Sequence, residues 1–181
     1  MDGLNLSTLG DYPGAIVHVR GTGWISRLIR RAVKSWGNHD ALVCKRGVCD
    51  AEPLFCKINT FADYQQQLDS GKISIQVLLP SDFSPFDGLK AANFWIANID
   101  GEQYDFRAYI RLIWKSLFHT RWSKPVGDPK DFYCTEGVAV SWLQGAGVDL
   151  YGRNNVTPKH TEELVDSGRL VDITDRFKKE G

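Results

Sequence analysis

Cys134 is the residue whose surroundings best support covalent chemistry. It lies in Asp131-Phe132-Tyr133-Cys134-Thr135-Glu136, where a loop gives way to a segment with helical apolar spacing. A cysteine in a first helical turn sits among unpaired backbone N–H groups, at the positive end of the helix dipole. Both favour the nucleophilic thiolate. The same N–H groups can hold the oxyanion of a tetrahedral intermediate. The structural alternative is a buried free cysteine, the common fate of a lone thiol.

A nucleophilic cysteine needs a base, usually histidine, and the chain has 4. His18 lies inside an alternating segment, His119 in a loop-like stretch, and His160 in a short C-terminal helical segment; packing or surface roles suit each. His39 differs, because it opens a β-prone segment directly after Gly37-Asn38. A third group should orient the imidazole through its other ring nitrogen. With Arg46-Gly47 as a two-residue turn, Val43 would pair with Asp50 and Ala41 with Glu52. Both carboxylates would then share the face of His39, with Glu52 nearer. A turn longer by one residue would send both to the other face. Exposed hairpin charge is the ordinary alternative for either.

Local patterns indicate the elements that must hold these groups. Residues 15–20 alternate as a strand does. Thr22 can cap a following helix, in which Ile25, Leu28, Ile29, Ala32 and Val33 mark one face and Gly37 the end. Arg27, Arg30, Arg31 and Lys34 read as its solvated face. Residues 39–44 and 48–52 flank Lys45-Arg46-Gly47 as a hairpin. A short helix from Thr60 to near Gly71, a strand over 73–79 and helices over 85–98 and 104–118 follow. Residues 119–130 read as a loop and 132–144 as a helix ended by Gly145. Thr157-Pro158 opens a last helix, and a terminal strand is expected near 170–173. The expected class is α+β, a small antiparallel sheet packed against helices within a single domain spanning residues 1–181.

Composition narrows the function. Lysine plus arginine equals aspartate plus glutamate at 22 each, which argues against a nucleic-acid partner. No apolar run nears the roughly 20 residues that cross a bilayer, and residues 1–9 lack the basic start and apolar stretch of a signal peptide. A cytoplasmic or phage-derived protein without an integral membrane segment is the expectation. The 4 cysteines are too few and too unevenly spread for a disulfide framework, although Cys44 and Cys49 could face each other across the hairpin. No metal is expected, since neither a CxxC pair nor a paired-histidine motif is present; a thiol redox protein is a poor reading for the same lack of CxxC.

The order of these segments resembles the circularly permuted papain-like hydrolases of the NlpC type (YiiX-like). Gly10-Asp11 before a strand and Ile25-Ser26-Arg27-Leu28-Ile29-Arg30 resemble their opening. His39-Asp40-Ala41-Leu42-Val43 resembles their histidine strand, and Cys49-Asp50-Ala51 the acidic-alanine pair on the next one. Gly101-Glu102-Gln103-Tyr104-Asp105 is similar to their glycine-to-tyrosine motif. Phe132-Tyr133-Cys134-Thr135-Glu136 is similar to their cysteine signature, with Thr135 in place of serine, and Thr157-Pro158 to an element near their C-terminus. The resemblance implies a papain-like core with histidine ahead of cysteine. It also implies Cys134 as nucleophile, His39 as base and Asp50 as the acid, where the family more often has glutamate. Tyr133 and Tyr104 would line the substrate site. No cofactor is implied. The expected substrates are small peptides, glycopeptides or acyl-amides. A catalytically silent binding module on the same fold is the alternative.

Overall fold

The structure, a computed structural model, describes residues 3–52, 55–102, 134–153 and 156–179. In chain order the described elements are β1 (Ile16–Gly21), α1 (Trp24–Val33), β2 (His39–Cys44), β3 (Gly47–Ala51), β4 (Cys56–Asn59), α2 (Phe61–Asp69), β5 (Ile73–Pro80), α3 (Pro85–Asn98), α4 (Cys134–Val140), α5 (Pro158–Asp166) and β6 (Leu170–Asp172). The six strands form one antiparallel sheet in the order β4-β3-β2-β1-β5-β6. Side chains alternate across it. Ile16, Leu42, Cys49 and Leu78 face a core shared with Trp95 of α3 and with Val138 and Trp142. Val17, Val43, Val48 and Val77 face a second core with Leu9, Tyr64 of α2 and Phe177.

Helix starts follow local chemistry. Thr60 and Asp63 form a capping box at α2, each side chain accepting the other's backbone N–H at 3.1 Å. Ser84 accepts from Asp87 N at 3.4 Å ahead of Pro85 at α3. At α1 the expectation needs correction. Thr22 does not cap it; its hydroxyl donates to Lys72 O at 3.0 Å, and Gly23 takes the N-cap place. The helix stops at Lys34, which adopts a left-handed φ of 54°. Gly37 lies against His18 instead, where a Cβ would fall 2.4 Å from Nε2. Of the five expected core positions on α1, Ile29 and Ala32 are buried, while Ile25 and Leu28 are exposed.

β4 was not anticipated; the single alternating run Cys56–Asn59 is too short to stand out. Gly145 does not end the cysteine helix. α4 runs into a π-helical turn, Ser141–Ala146, closed by Gly147 with φ 74°. The helix expected over 104–118 and the loop over 119–130 lie outside the described residues.

Two glycines set the seating of α3. A Cβ on Gly88 would lie 2.1 Å from Pro13 O, and one on Gly14, whose φ is +87°, would lie 2.4 Å from Gly88 Cα. An alanine inside a helix ordinarily gains about 1 kcal/mol over glycine. Here the forced backbone shift outweighs that gain, so Gly88→Ala is expected to destabilise the fold by about 1–3 kcal/mol in urea unfolding.

Candidate active site

The hairpin β2–β3 carries two of the groups. Its turn is Lys45-Arg46, with Cys44 opposite Gly47 and Leu42 opposite Cys49. Relative to the register expected from an Arg46-Gly47 turn, the pairing has slipped by two residues. A slip of two preserves the faces and brings both carboxylates one step nearer His39. Continued along the strands, the observed register would set Glu52 against His39 and Asp50 against Ala41, diagonal to it. The β2–β3 ladder itself stops at Leu42–Cys49, and where the strands part it is Asp50 that meets His39.

There His39 Nε2 donates to Asp50 Oδ1. Asp50 Oδ2 accepts from Tyr64 OH at 2.5 Å and from Asn59 Nδ2 at 3.3 Å. Glu52, which the expected register favoured, lies elsewhere: it accepts from Asn59 Nδ2 at 2.7 Å and pairs with Lys57 Nζ at 2.9 Å. It is linked to Asp50 through Asn59. Burial alone would raise the pKa of Asp50, but His39, Tyr64 and Asn59 outweigh it and hold the carboxyl below its ordinary value. Burial alone would lower that of His39. Asp50 and Cys134 outweigh it, and the imidazole stays protonated well above its ordinary range.

Cys134 opens α4, which lies against β2. Its thiol is near enough for charge and hydrogen bonding to favour the His39 imidazolium. Contacts of this kind commonly tighten in the reacting complex. With Nε2 engaged by Asp50, Nδ1 is the nitrogen left for the sulfur. Cys134 is 0% exposed. Tyr104 and Tyr133, expected to line the site, lie outside the described residues.

A second buried network, which sequence reasoning missed, joins the two sides. His18 stands opposite Asp40 in the β1–β2 ladder, and its Nδ1 donates to Asp40 Oδ1 at 2.6 Å. Asp40 Oδ2 accepts from Thr135 Oγ1 at 2.7 Å and from Thr161 Oγ1 at 2.9 Å. Asp40 follows His39 and Thr135 follows Cys134, so this bond ties the histidine strand to the cysteine helix one residue along on each. Glu162 Oε1 lies 3.6 Å from His18 Nε2, an ion-pair distance, and accepts from Ser35 Oγ at 2.6 Å and from Trp36 N. Burial would lower the pKa of His18, but Asp40 and Glu162 push it up to about 9. Burial would raise that of Asp40, but His18, Thr135 and Thr161 hold it low. The available signal was alternation: Asp40 points away from His39, into the core that receives α4, and a buried carboxylate there requires partners. The hydroxyl of Thr135, noted only as a replacement for serine, is one of them.

Of the other histidines, His160 Nδ1 accepts from Thr157 N at 2.9 Å, and His119 lies outside the described residues. All 4 cysteines are free and buried.

No protein-family model and no curated protein matches the chain. Among solved structures it is similar to the crystal structure of metalloprotein YiiX from Escherichia coli O157:H7, DUF1105. The TM-score is 0.64 and the identity 17%, over 93% of this chain and 98% of that one. The likeness is one of fold: the chain has a YiiX-like fold, a mixed α/β arrangement on a six-stranded antiparallel sheet.

Proposed function

We propose that this protein is a cysteine hydrolase of amide or ester bonds, on a papain-like core in permuted order. The observation that carries this reading is the convergence of Cys134, His39 and a buried Asp50 from three separate elements. Sulfur attacks the substrate carbonyl carbon while its proton resides on His39, and backbone N–H groups at the start of α4 donate hydrogen bonds to the oxyanion. The tetrahedral intermediate collapses, the C–N or C–O bond breaks, and the leaving group takes the proton from His39. Water, deprotonated by His39, then attacks the thioester; the C–S bond breaks and the sulfur regains a proton. Asp50 holds the imidazole in orientation and favours its charged form throughout.

Small peptides, glycopeptides and acyl-amides are the substrate classes this chemistry serves. The structural neighbour is called a metalloprotein. In this chain the Asp50 oxygens are engaged by His39, Tyr64 and Asn59. Among the described residues no group of three His, Cys, Asp or Glu side chains is disposed to hold a metal ion. The steps above assign roles to Cys134, His39 and Asp50.

The full burial of Cys134 favours a second reading, a silent ligand-binding module. Alkylation by iodoacetamide separates the two, with mass spectrometry assigning the modified cysteine. Under the catalytic reading Cys134 reacts faster than Cys44, Cys49 and Cys56, and His39→Ala alters the pH profile of its reaction. A Cys134 that stays unmodified in the folded protein, or ignores the loss of His39, leaves the binding module as the better account.

A further inference from the structure

α1 has more apolar surface than the core covers. Ile29 and Ala32 face inward, whereas Trp24, Ile25 and Leu28 are 75%, 53% and 47% exposed. Leu28 is four residues from Trp24 and three from Ile25, so it neighbours both on the helix surface and joins the three into one patch. Large apolar side chains left together on a surface mark a place where something docks.

Charge indicates what docks. From Arg20 to Lys34 the chain carries five basic residues, Arg20, Arg27, Arg30, Arg31 and Lys34, and no Asp or Glu. The whole chain has a formal net charge of zero, so this is a local concentration. None of the five forms an ion pair with a carboxylate among the described residues. Two guanidiniums are held in place by backbone carbonyls: Arg27 Nε donates to Thr22 O at 3.0 Å, and Arg30 to Gly21 O. The surface is therefore a short helix with an exposed Trp-Ile-Leu patch and five basic residues along the same stretch, two of them held in place.

We propose that α1 is a membrane-docking helix that lays Trp24, Ile25 and Leu28 into the headgroup boundary of an anionic bilayer. An exposed tryptophan beside aliphatic side chains, bordered by arginine and lysine, is the composition of helices lying in that boundary. Nucleic acid would engage the cations and leave Ile25 and Leu28 in water. A second copy packed by two-fold symmetry would set one basic patch against another. No helix among the described residues is long and apolar enough to cross a membrane, so contact through α1 would be peripheral. The helix leaves β1 just past Val19, which pairs with His39. Docking would bring that end of the sheet to the lipid surface, whether or not the site is catalytic.

The test is co-sedimentation of the full chain with phosphatidylcholine vesicles, with and without phosphatidylglycerol. The protein is expected to pellet with the anionic vesicles, and added salt to weaken the binding. Arg27→Gln with Arg31→Gln should weaken it roughly thirtyfold. Trp24→Ser with Leu28→Ser should reduce it at least as far while the circular dichroism spectrum is unchanged. Wild type that stays in the supernatant, or variants that pellet as wild type does, would overturn the proposal. So would an apolar variant that turns an oligomer into a monomer on size exclusion, since the patch would then be covered by a second copy.

Discussion

Replacing Cys134 with serine is expected to lower kcat/KM for an acyl-amide or ester substrate by roughly ten-thousandfold, and His39→Ala to come close to it. A hydroxyl in place of the thiol is a far poorer nucleophile at neutral pH, and without His39 the group proposed to receive and return the proton is gone. The two groups act as one unit, so the double variant should be little worse than either single one. Glu52→Gln is the informative comparison. Its oxygens are engaged by Asn59 and Lys57, and it should lose far less than Asp50→Asn, which removes the charge next to the imidazole. Initial rates would be measured on variants whose circular dichroism matches wild type. A Cys134→Ser protein that hydrolyses as fast as wild type ends the catalytic reading.

Asp40→Ala is expected to cost about 3–5 kcal/mol of folding stability, a large share of a typical total of roughly 5–15 kcal/mol. The substitution strips one acceptor group from three buried donors at once: His18 Nδ1 and the hydroxyls of Thr135 and Thr161. The His18 imidazolium would be left with Glu162 at 3.6 Å, since its Nε2 has no hydrogen-bond partner among the described residues. If Asp40→Ala does not fold, Asp40→Asn keeps the shape and one acceptor and should be the milder variant. The pH dependence carries the same signature. His18 has its pKa raised from 6.5 to about 9 in the fold, so its contribution is complete below 6.5 and is lost as pH rises through 9. Asp40 has its pKa lowered, so its contribution is present above the ordinary carboxylate value and is lost on acidification. Urea unfolding should therefore show wild type losing of the order of 3 kcal/mol between about pH 7 and pH 10. Asp40→Asn should lose less over that interval. A flat wild-type profile, or an Asp40→Ala protein as stable as wild type, would remove the buried ion pair from this account.

Several of these groups could be read from sequence, and each for a local reason. The helix at 85–98 is legible because a serine cap, a proline at N1 and apolar spacing agree. His39 stands out because it begins a strand, and Cys134 because a loop-like stretch gives way to helical apolar spacing around it. The choice between Asp50 and Glu52 was not legible. Even the observed hairpin register, continued ideally, sets Glu52 opposite His39; the ladder ends at Leu42–Cys49, and no local pattern states how the strands part beyond it. Asp40 was hidden for another reason: its partners come from β1, α4 and α5, and no local pattern announces a carboxylate whose donors lie far along the chain. The cover on α1 escaped as well, since helical periodicity reports a stripe's width and not how much of it another layer will meet.

The two buried networks differ in the length of chain each must close. His39, Asp50, Asn59 and Tyr64 are joined by bonds spanning 11, 9 and 14 residues. Thr135 reaches Asp40 across 95. Bringing together the ends of the longer loop costs about 2 kcal/mol more entropy than closing the shorter one. During synthesis the N-terminal part also emerges first. The imidazole and its carboxylate can thus be assembled on a meander of adjacent strands while the thiol is still being made. The Asp40–Thr135 bond closes only afterwards, and the Thr161 bond, across 121 residues, later still, so a newly made chain holds a base long before it holds anything for that base to serve.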